Sequence, residues 1–192
     1  DLPRRLVDDP AALAALANSA DTLEGFATAL RAAESDGQIR PMPRAFAAAR
    51  GTLPMPVAGP VLRAAGEADA AGIARPGLLI QTAPRALVTS PWQATIRYTG
   101  PLLDYKNVMV LEPSRGFLLV LAGLDIVYGS AGDVLGPGTP VGLMGGTDDA
   151  AQDLTAPLAQ SGGQRQTETL YMELRQGDVP VDPATWFALG RE

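Results

Sequence analysis

Thr169-Leu170-Tyr171-Met172-Glu173-Leu174-Arg175, followed shortly by Val181-Asp182-Pro183-Ala184-Thr185-Trp186, is the stretch on which the reading of this chain turns. Leu170, Met172 and Leu174 alternate with Tyr171, Glu173 and Arg175, the period-two pattern of a strand with two unlike faces. Asp182-Pro183 breaks that strand, and Trp186 supplies a large apolar side chain for a packed C-terminal closure. The same texture extends upstream to Leu53. Apolar runs of strand length, punctuated by Gly and Pro, occur at Gly77-Leu78-Leu79-Ile80, Ala94-Thr95-Ile96-Arg97-Tyr98, Asn107-Val108-Met109-Val110-Leu111 and Phe117-Leu118-Leu119-Val120-Leu121. From Leu53 onward the chain is therefore expected to be all-β.

At 192 residues there is room for one full domain with a smaller appendage. A composition 46% hydrophobic and 19% charged, with 21 Gly and 17 Pro, suits a packed core of short strands and many turns. The net charge of −6 opposes nonspecific binding to nucleic acid or anionic lipid, which would repel it. The chain has neither His nor Cys. That excludes disulfides, thiolate metal sites and every Ser/His or Cys/His scheme, and leaves Lys106, the only lysine, to serve any Ser-Lys mechanism. The absence of cysteine fits any compartment, an oxidising periplasm included. Among the carboxylates, Asp104, Glu112, Asp125 and Glu173 have no spacing that fixes a glycosidase pair, and Asp148, Asp149 and Asp153 fit no standard calcium loop. No apolar run approaches the roughly 18 residues of a spanning helix, and Asp1-Leu2-Pro3-Arg4-Arg5 lacks a signal-peptide pattern, as in a mature or trimmed fragment.

The N-terminal part reads differently. Residues 9 to 35 form a predicted helix, with Asp9 as N-cap, Pro10 in the first turn and Asp36-Gly37 as the stop. Leu13, Leu16, Ala20, Leu23, Ala27 and Leu30 step by three and four, a pattern shared by a coiled-coil seam and by a helix packed on its own domain. Gln38 to Pro43 is a linker, since Pro41 and Pro43 resist helix and central strand alike. Arg44 to Arg50 adds a helical turn or two. Residues 145 to 168 are small and polar, as in a long mobile loop before the last strand.

From about Leu53 to Leu189 the chain resembles the LytM-type (lysostaphin-like) zinc endopeptidases. Leu53-Pro54-Met55-Pro56-Val57-Ala58-Gly59-Pro60-Val61 resembles that family's opening strand, and Gly77-Leu78-Leu79-Ile80 its Gly-Ile-Asp-Ile strand. Asp104-Tyr105-Lys106-Asn107-Val108 is similar to its Tyr-Gly-Asn turn, with Lys106 where the glycine permits positive φ. Val120-Leu121-Ala122-Gly123-Leu124 resembles Leu-Tyr-Ala-His-Leu, Gly136 to Gly142 the Gly-rich turn before the penultimate strand, and Thr169-Leu170-Tyr171-Met172-Glu173 the closing His-x-His-Phe-Glu strand. The resemblance implies a mainly β, LytM/lysostaphin-like antiparallel domain over residues 42–192, preceded by a helical segment and linker over residues 1–41.

By the same resemblance, the family's metal and catalytic positions fall on Arg75, Leu79, Gly123, Thr169 and Tyr171. None of these is an ordinary zinc ligand, so neither metal nor cofactor is expected and the chain is not expected to be an enzyme. This pattern is similar to the degenerate LytM domains of EnvC-type murein hydrolase activators. It implies a periplasmic activator of zinc-dependent N-acetylmuramoyl-L-alanine amidases in peptidoglycan splitting at cell division. An upstream coiled coil would answer to an FtsEX-type ABC divisome complex, and residues 9 to 35 would be that coiled coil's stump or a restraint on the groove. The implied docking residues are Leu79, Tyr105, Val108, Tyr171 and Arg175, with Arg75 joining electrostatically, in helix-in-groove recognition. Two other readings stand beside this one: a noncatalytic peptidoglycan-binding module, and a metal-independent wall hydrolase. By residue type alone, Leu79 and Val108 also read as core aliphatics, and Arg175 as a solvated strand end.

Overall fold

The computed structural model describes residues 44–103, 105–146 and 168–189, together with Gly25, which is helical. Apart from that glycine, the predicted helix over residues 9–35 and the linker after it lie outside the described residues, as do Asp104 and residues 147–167 of the expected loop. A short helix, α1 (Arg44–Ala48), precedes ten strands: β1 (Val61–Arg63), β2 (Leu78–Thr82), β3 (Leu87–Thr89), β4 (Ala94–Pro101), β5 (Asn107–Ser114), β6 (Phe117–Val127), β7 (Val134–Leu135), β8 (Pro140–Met144), β9 (Glu168–Gln176) and β10 (Val179–Val181). A 3₁₀ turn, Pro183–Thr185, follows, with the Asp182 carboxylate accepting from the Ala184 N–H as its cap.

All strand pairs are antiparallel, in the order β1-β2-β9-β6-β5-β4-β7, with β10 on β9 and a side arm of β8 and β3 on β6. The last long strand thus lies in the middle of the sheet. β6 carries β5 along one edge, while its other edge is shared by β9 over Phe117 to Ala122 and β8 over Leu124 to Val127. This seats β9 between β2 and β6, where the alternation read in its sequence must serve two buried faces.

Leu170, Met172 and Leu174 enter the larger apolar cluster with Leu78, Ile80, Met109, Leu119, Leu121 and Val141. Phe46 from α1 stacks on Trp186 at 5.2 Å, and Phe117 sits edge-on to both rings at 5.0 and 5.1 Å. The expected C-terminal closure is therefore packed through Trp186. Its carbonyl accepts from the Gly51 and Leu53 N–H groups, tying the start of the domain to its end. The expected opening strand across Leu53 to Val61 is shorter than its pattern. Leu53 makes an isolated bridge to Phe187, and the first strand begins only at Val61. Pro54, Pro56 and Pro60 have no N–H to donate to a ladder, so pairing starts beyond them.

Candidate functional site

The second apolar cluster, on the opposite face, gathers Tyr98, Leu102, Val108, Val110, Leu118, Val120, Ala122 and Tyr171, with Leu79 and Tyr105 packed against it. Register explains the assembly: Leu79 on β2 faces Tyr171 on β9, which faces Ala122 on β6. The adjacent pairs bring Gln81 to Thr169 and Val120 to Glu173. At Gly123 (φ 104°) an added Cβ would lie 2.7 Å from the Thr169 carbonyl oxygen, so β6 and β9 approach too closely there for a side chain. Four of the positions singled out in the sequence, Leu79, Gly123, Thr169 and Tyr171, are thus neighbours on three adjacent strands.

Arg75 reaches the same place from the loop before β2. Its guanidinium carbon lies 5.8 Å from the centre of the Tyr105 ring, and that ring lies 6.2 Å from the Tyr171 ring. Gly77 allows this stacking, because a Cβ there would fall 2.6 Å from Tyr171 Cζ and 2.5 Å from the Met172 carbonyl oxygen. The arm preceding Arg75 is fixed by Asp69, whose carboxylate accepts from the Ile73 and Ala71 N–H groups at 2.9 Å. The Ile73 bond first of all holds the Asp69 pKa below its ordinary value. Arg75 is exposed, Leu79 and Tyr105 are half-buried, and Tyr171 and Val108 are buried. The inward setting of Val108, at 0% exposure, is that of a core aliphatic in the same cluster, opposite Ala122 in the sheet.

Arg175 departs from the expectation of a solvated strand end: it is 1% exposed. Its Nη1 donates to Glu173 Oε1 at 2.8 Å and its Nη2 to the Asp178 carbonyl at 2.6 Å, while Tyr171 Oη donates to Glu173 Oε2 at 2.7 Å. Alternation places Tyr171, Glu173 and Arg175 on one face of β9, and the sheet around them excludes water. A lone buried guanidinium would be prohibitive, and the carboxylate two residues away compensates it. Burial, then the neighbouring Glu173 charge and hydrogen bond, push the Tyr171 pKa far above the ordinary tyrosine value, so the phenol stays neutral. Glu173, which the sequence offered only as a carboxylate without a spaced partner, is the hub that joins Tyr171 to Arg175. Its short spacing and alternation carried that signal.

Lys106 adopts φ 57°, the left-handed conformation that the Tyr-Gly-Asn resemblance associates with glycine. Its Nζ pairs with Glu168 Oε2 at 3.0 Å, linking the Tyr105 turn to the first residue of β9. Sequence reading did not reach this pair, because its partners are far apart in the chain.

The fold is that of an antiparallel, LytM/lysostaphin-like β domain. The chain superposes on Csd3 of Helicobacter pylori with a TM-score of 0.54 at 16% identity, over 73% of this chain and 36% of that one. A zinc-containing peptidase from Vibrio cholerae gives 0.53 at 17% identity, over 70% of this chain and 40% of that one. The catalytic domain of the antimicrobial peptidase lysostaphin from Staphylococcus simulans gives 0.50 at 15% identity, covering 65% of this chain and 89% of that domain. In sequence the chain is 25% identical over 141 residues to the uncharacterized protein NMB1333 of Neisseria meningitidis serogroup B, covering 73% of this chain. It spans 21% of that protein's length. No protein-family profile matches the chain.

Zinc, which the Vibrio cholerae neighbour contains, is not suited by the side chains gathered here. Leu79 and Gly123 offer no donor, Arg75 is a cation, and Thr169 carries a neutral hydroxyl. The Tyr171 hydroxyl is committed to Glu173 and held protonated. Among the described residues no group of three or more His, Cys, Asp or Glu side chains converges.

Proposed function

We propose that this domain works in the cell envelope on peptidoglycan as a noncatalytic EnvC-type activator. In this reading it binds a periplasmic zinc-dependent N-acetylmuramoyl-L-alanine amidase through the face built on β2, β9 and β6, and promotes wall splitting at cell division. The observation that carries the reading is the nature of the residues at the five positions matched to the peptidase site. Arg75, Leu79, Gly123, Thr169 and Tyr171 do not suit zinc, yet Arg75 and Tyr171 are joined through Tyr105 into a cationic and aromatic strip. Such a strip, with half-buried Leu79 beside it, has the character of a protein-binding anchor: wide ring contact at low entropy cost, apolar area to desolvate, and one accessible cation. Val108 packs in the same apolar cluster, and Arg175 contributes through Glu173 and Tyr171. Residues 9–35 would carry the input from an FtsEX-type ABC complex.

The test is dye release from labelled sacculi with a periplasmic amidase from the same organism. It is run with and without the 192-residue chain, and with an Arg75→Glu/Tyr105→Ala variant that changes the exposed cation and the half-buried ring while keeping Tyr171, Glu173 and Arg175 themselves. Release that requires both proteins and falls at least about tenfold in the variant supports activation through this face. Release by this chain alone would make it a hydrolase. Binding to sacculi with no effect on the amidase would make it a peptidoglycan-binding module.

A further inference from the structure

The face described above has a rim that the five matched positions do not include. Among the described residues β1 pairs only with β2, at the outer end of the strand order. Its register shifts between Val61, opposite Ile80, and Arg63, opposite Leu79, so two residues of β1 answer one of β2. A bulge of this kind re-aims a side chain, and here it sets Arg63 beside Leu79, in the row that continues through Tyr171 to Ala122. The chain then leaves β1 as an arm and returns at Arg75. A 2.8 Å bond from the Gly66 N–H to the Arg75 carbonyl and a bridge between Ala68 and Ala74 close that arm, so both arginines stand at its base.

The carboxylates of the arm are spent on its own backbone. Glu67 accepts from the Ala64 N–H, and Asp69 from those of Ala71 and Ile73, each at 2.9 Å. Among the described residues neither Arg63 nor Arg75 forms an ion pair. Both still act on Asp69, whose pKa is lowered first by the Ile73 bond, then by the Ala71 bond and these two charges. Two cations thus share one carboxylate that is already hydrogen-bonded. An exposed arginine such as Arg85 needs no partner, because water solvates it. Arg63 differs on three counts: it is half-buried, it lies opposite an apolar residue, and a second unpaired cation shares its arm. In a chain of net charge −6, two unpaired guanidiniums at the rim of an aromatic and aliphatic row are complementary to an acidic, amphipathic segment.

We infer that Arg63 is a further partner-recognition residue, which together with Arg75 receives a carboxylate side chain of an amidase helix whose apolar face lies on Leu79, Tyr105 and Tyr171. The inference rests on the activator reading above and adds a residue that the resemblance does not supply. It gives Arg63 and Asp69 opposite effects on binding, since the first attracts that carboxylate and the second repels it.

The experiment is calorimetric titration of a periplasmic amidase from the same organism with the native 192-residue chain and with Arg63→Gln, Asp69→Asn and Arg85→Gln, each also followed by thermal unfolding. Arg85→Gln removes one positive charge, as Arg63→Gln does, but from the connection between β2 and β3, and so corrects for net charge. Asparagine at position 69 keeps the oxygen that accepts from Ala71 and Ile73 and removes only the competing charge. Affinity should fall about five- to tenfold in Arg63→Gln, stay within about twofold of native in Arg85→Gln, and rise about two- to fivefold in Asp69→Asn. Added salt should narrow these differences by screening. Equal affinity in Arg63→Gln and Arg85→Gln would overturn the inference, as would unchanged or weaker binding by an Asp69→Asn variant of native Tm. An unfolded variant cannot imitate a gain in affinity, so Asp69→Asn decides the matter even where Arg63→Gln lowers the Tm. Binding to sacculi that depends on Arg63, with amidase binding that does not, would assign the pair to wall carboxylates and overturn it too. A native chain that binds no amidase would overturn the activator reading and the inference with it, an outcome distinct from a loss confined to Arg63→Gln.

Discussion

Glu173→Gln isolates what the buried network contributes. Glu173 is 3% exposed and accepts two hydrogen bonds, from Tyr171 Oη at 2.7 Å and Arg175 Nη1 at 2.8 Å. Glutamine keeps the shape and can still accept from Arg175, but its amide group then faces a phenol that was donating. More importantly, it removes the charge that compensates a guanidinium 1% exposed, whose Nε already has no hydrogen-bond partner. Removing one partner of a buried ion pair costs about 3 to 5 kcal/mol, and the retained hydrogen bond returns part of that, which leaves about 3 kcal/mol of destabilisation. For a domain of this size that corresponds to a Tm lower by roughly 6 to 12 °C. The assay is urea unfolding followed by tryptophan fluorescence, since Trp186 is buried in the aromatic cluster and reports the folded state. The compensation argument makes a second demand: Glu173→Gln combined with Arg175→Met, which leaves no buried charge, should be more stable than Glu173→Gln alone. A single variant within about 1 kcal/mol of native, or a double variant with no recovery, would refute the account of Glu173 as the charge that makes Arg175 tolerable.

Two further outcomes follow from the same region. Because the Tyr171 pKa is raised in the folded state, the unfolded chain loses its phenol proton first as pH rises past roughly 10, so stability present below that pH is lost above it. The contribution is up to about 1.4 kcal/mol per pH unit, and urea midpoints measured between pH 8 and 11 should fall less steeply in Tyr171→Phe. Gly77→Ala would drive a methyl group against the Tyr171 ring and the Met172 carbonyl oxygen, contacts of 2.6 and 2.5 Å before relaxation. It should destabilise by about 1 to 3 kcal/mol, visible as a lower Tm and as a shifted Tyr171 ring signal in NMR, and an unchanged spectrum would show that β2 yields without disturbing the site.

The sequence by itself determined the strands whose two faces differ and the positions where they break. Alternation in Leu170 to Leu174 announced β9, Asp182-Pro183 ended the sheet, and the runs at Leu78, Ala94, Asn107 and Phe117 lie within observed strands. These are local signals, fixed by the two-residue period and by proline's missing donor. The absence of His and Cys likewise limits the chemistry open to the chain whatever its fold. Strands of two or three residues, β3, β7 and β10 among them, escaped notice because so short a run has no period to detect. Only tertiary structure decided that β9 inserts between β2 and β6, and thereby that Leu79, Gly123, Thr169 and Tyr171 become neighbours. It also decided the fate of Arg175. A guanidinium at a strand end reads as solvated in one dimension, but in the sheet Arg175 lies opposite Leu118 on β6 and is buried, and Glu173 on the same face supplies the compensating charge. Burial depends on what lies across the sheet, and a linear pattern carries the parity of each side chain but not the partner it will face.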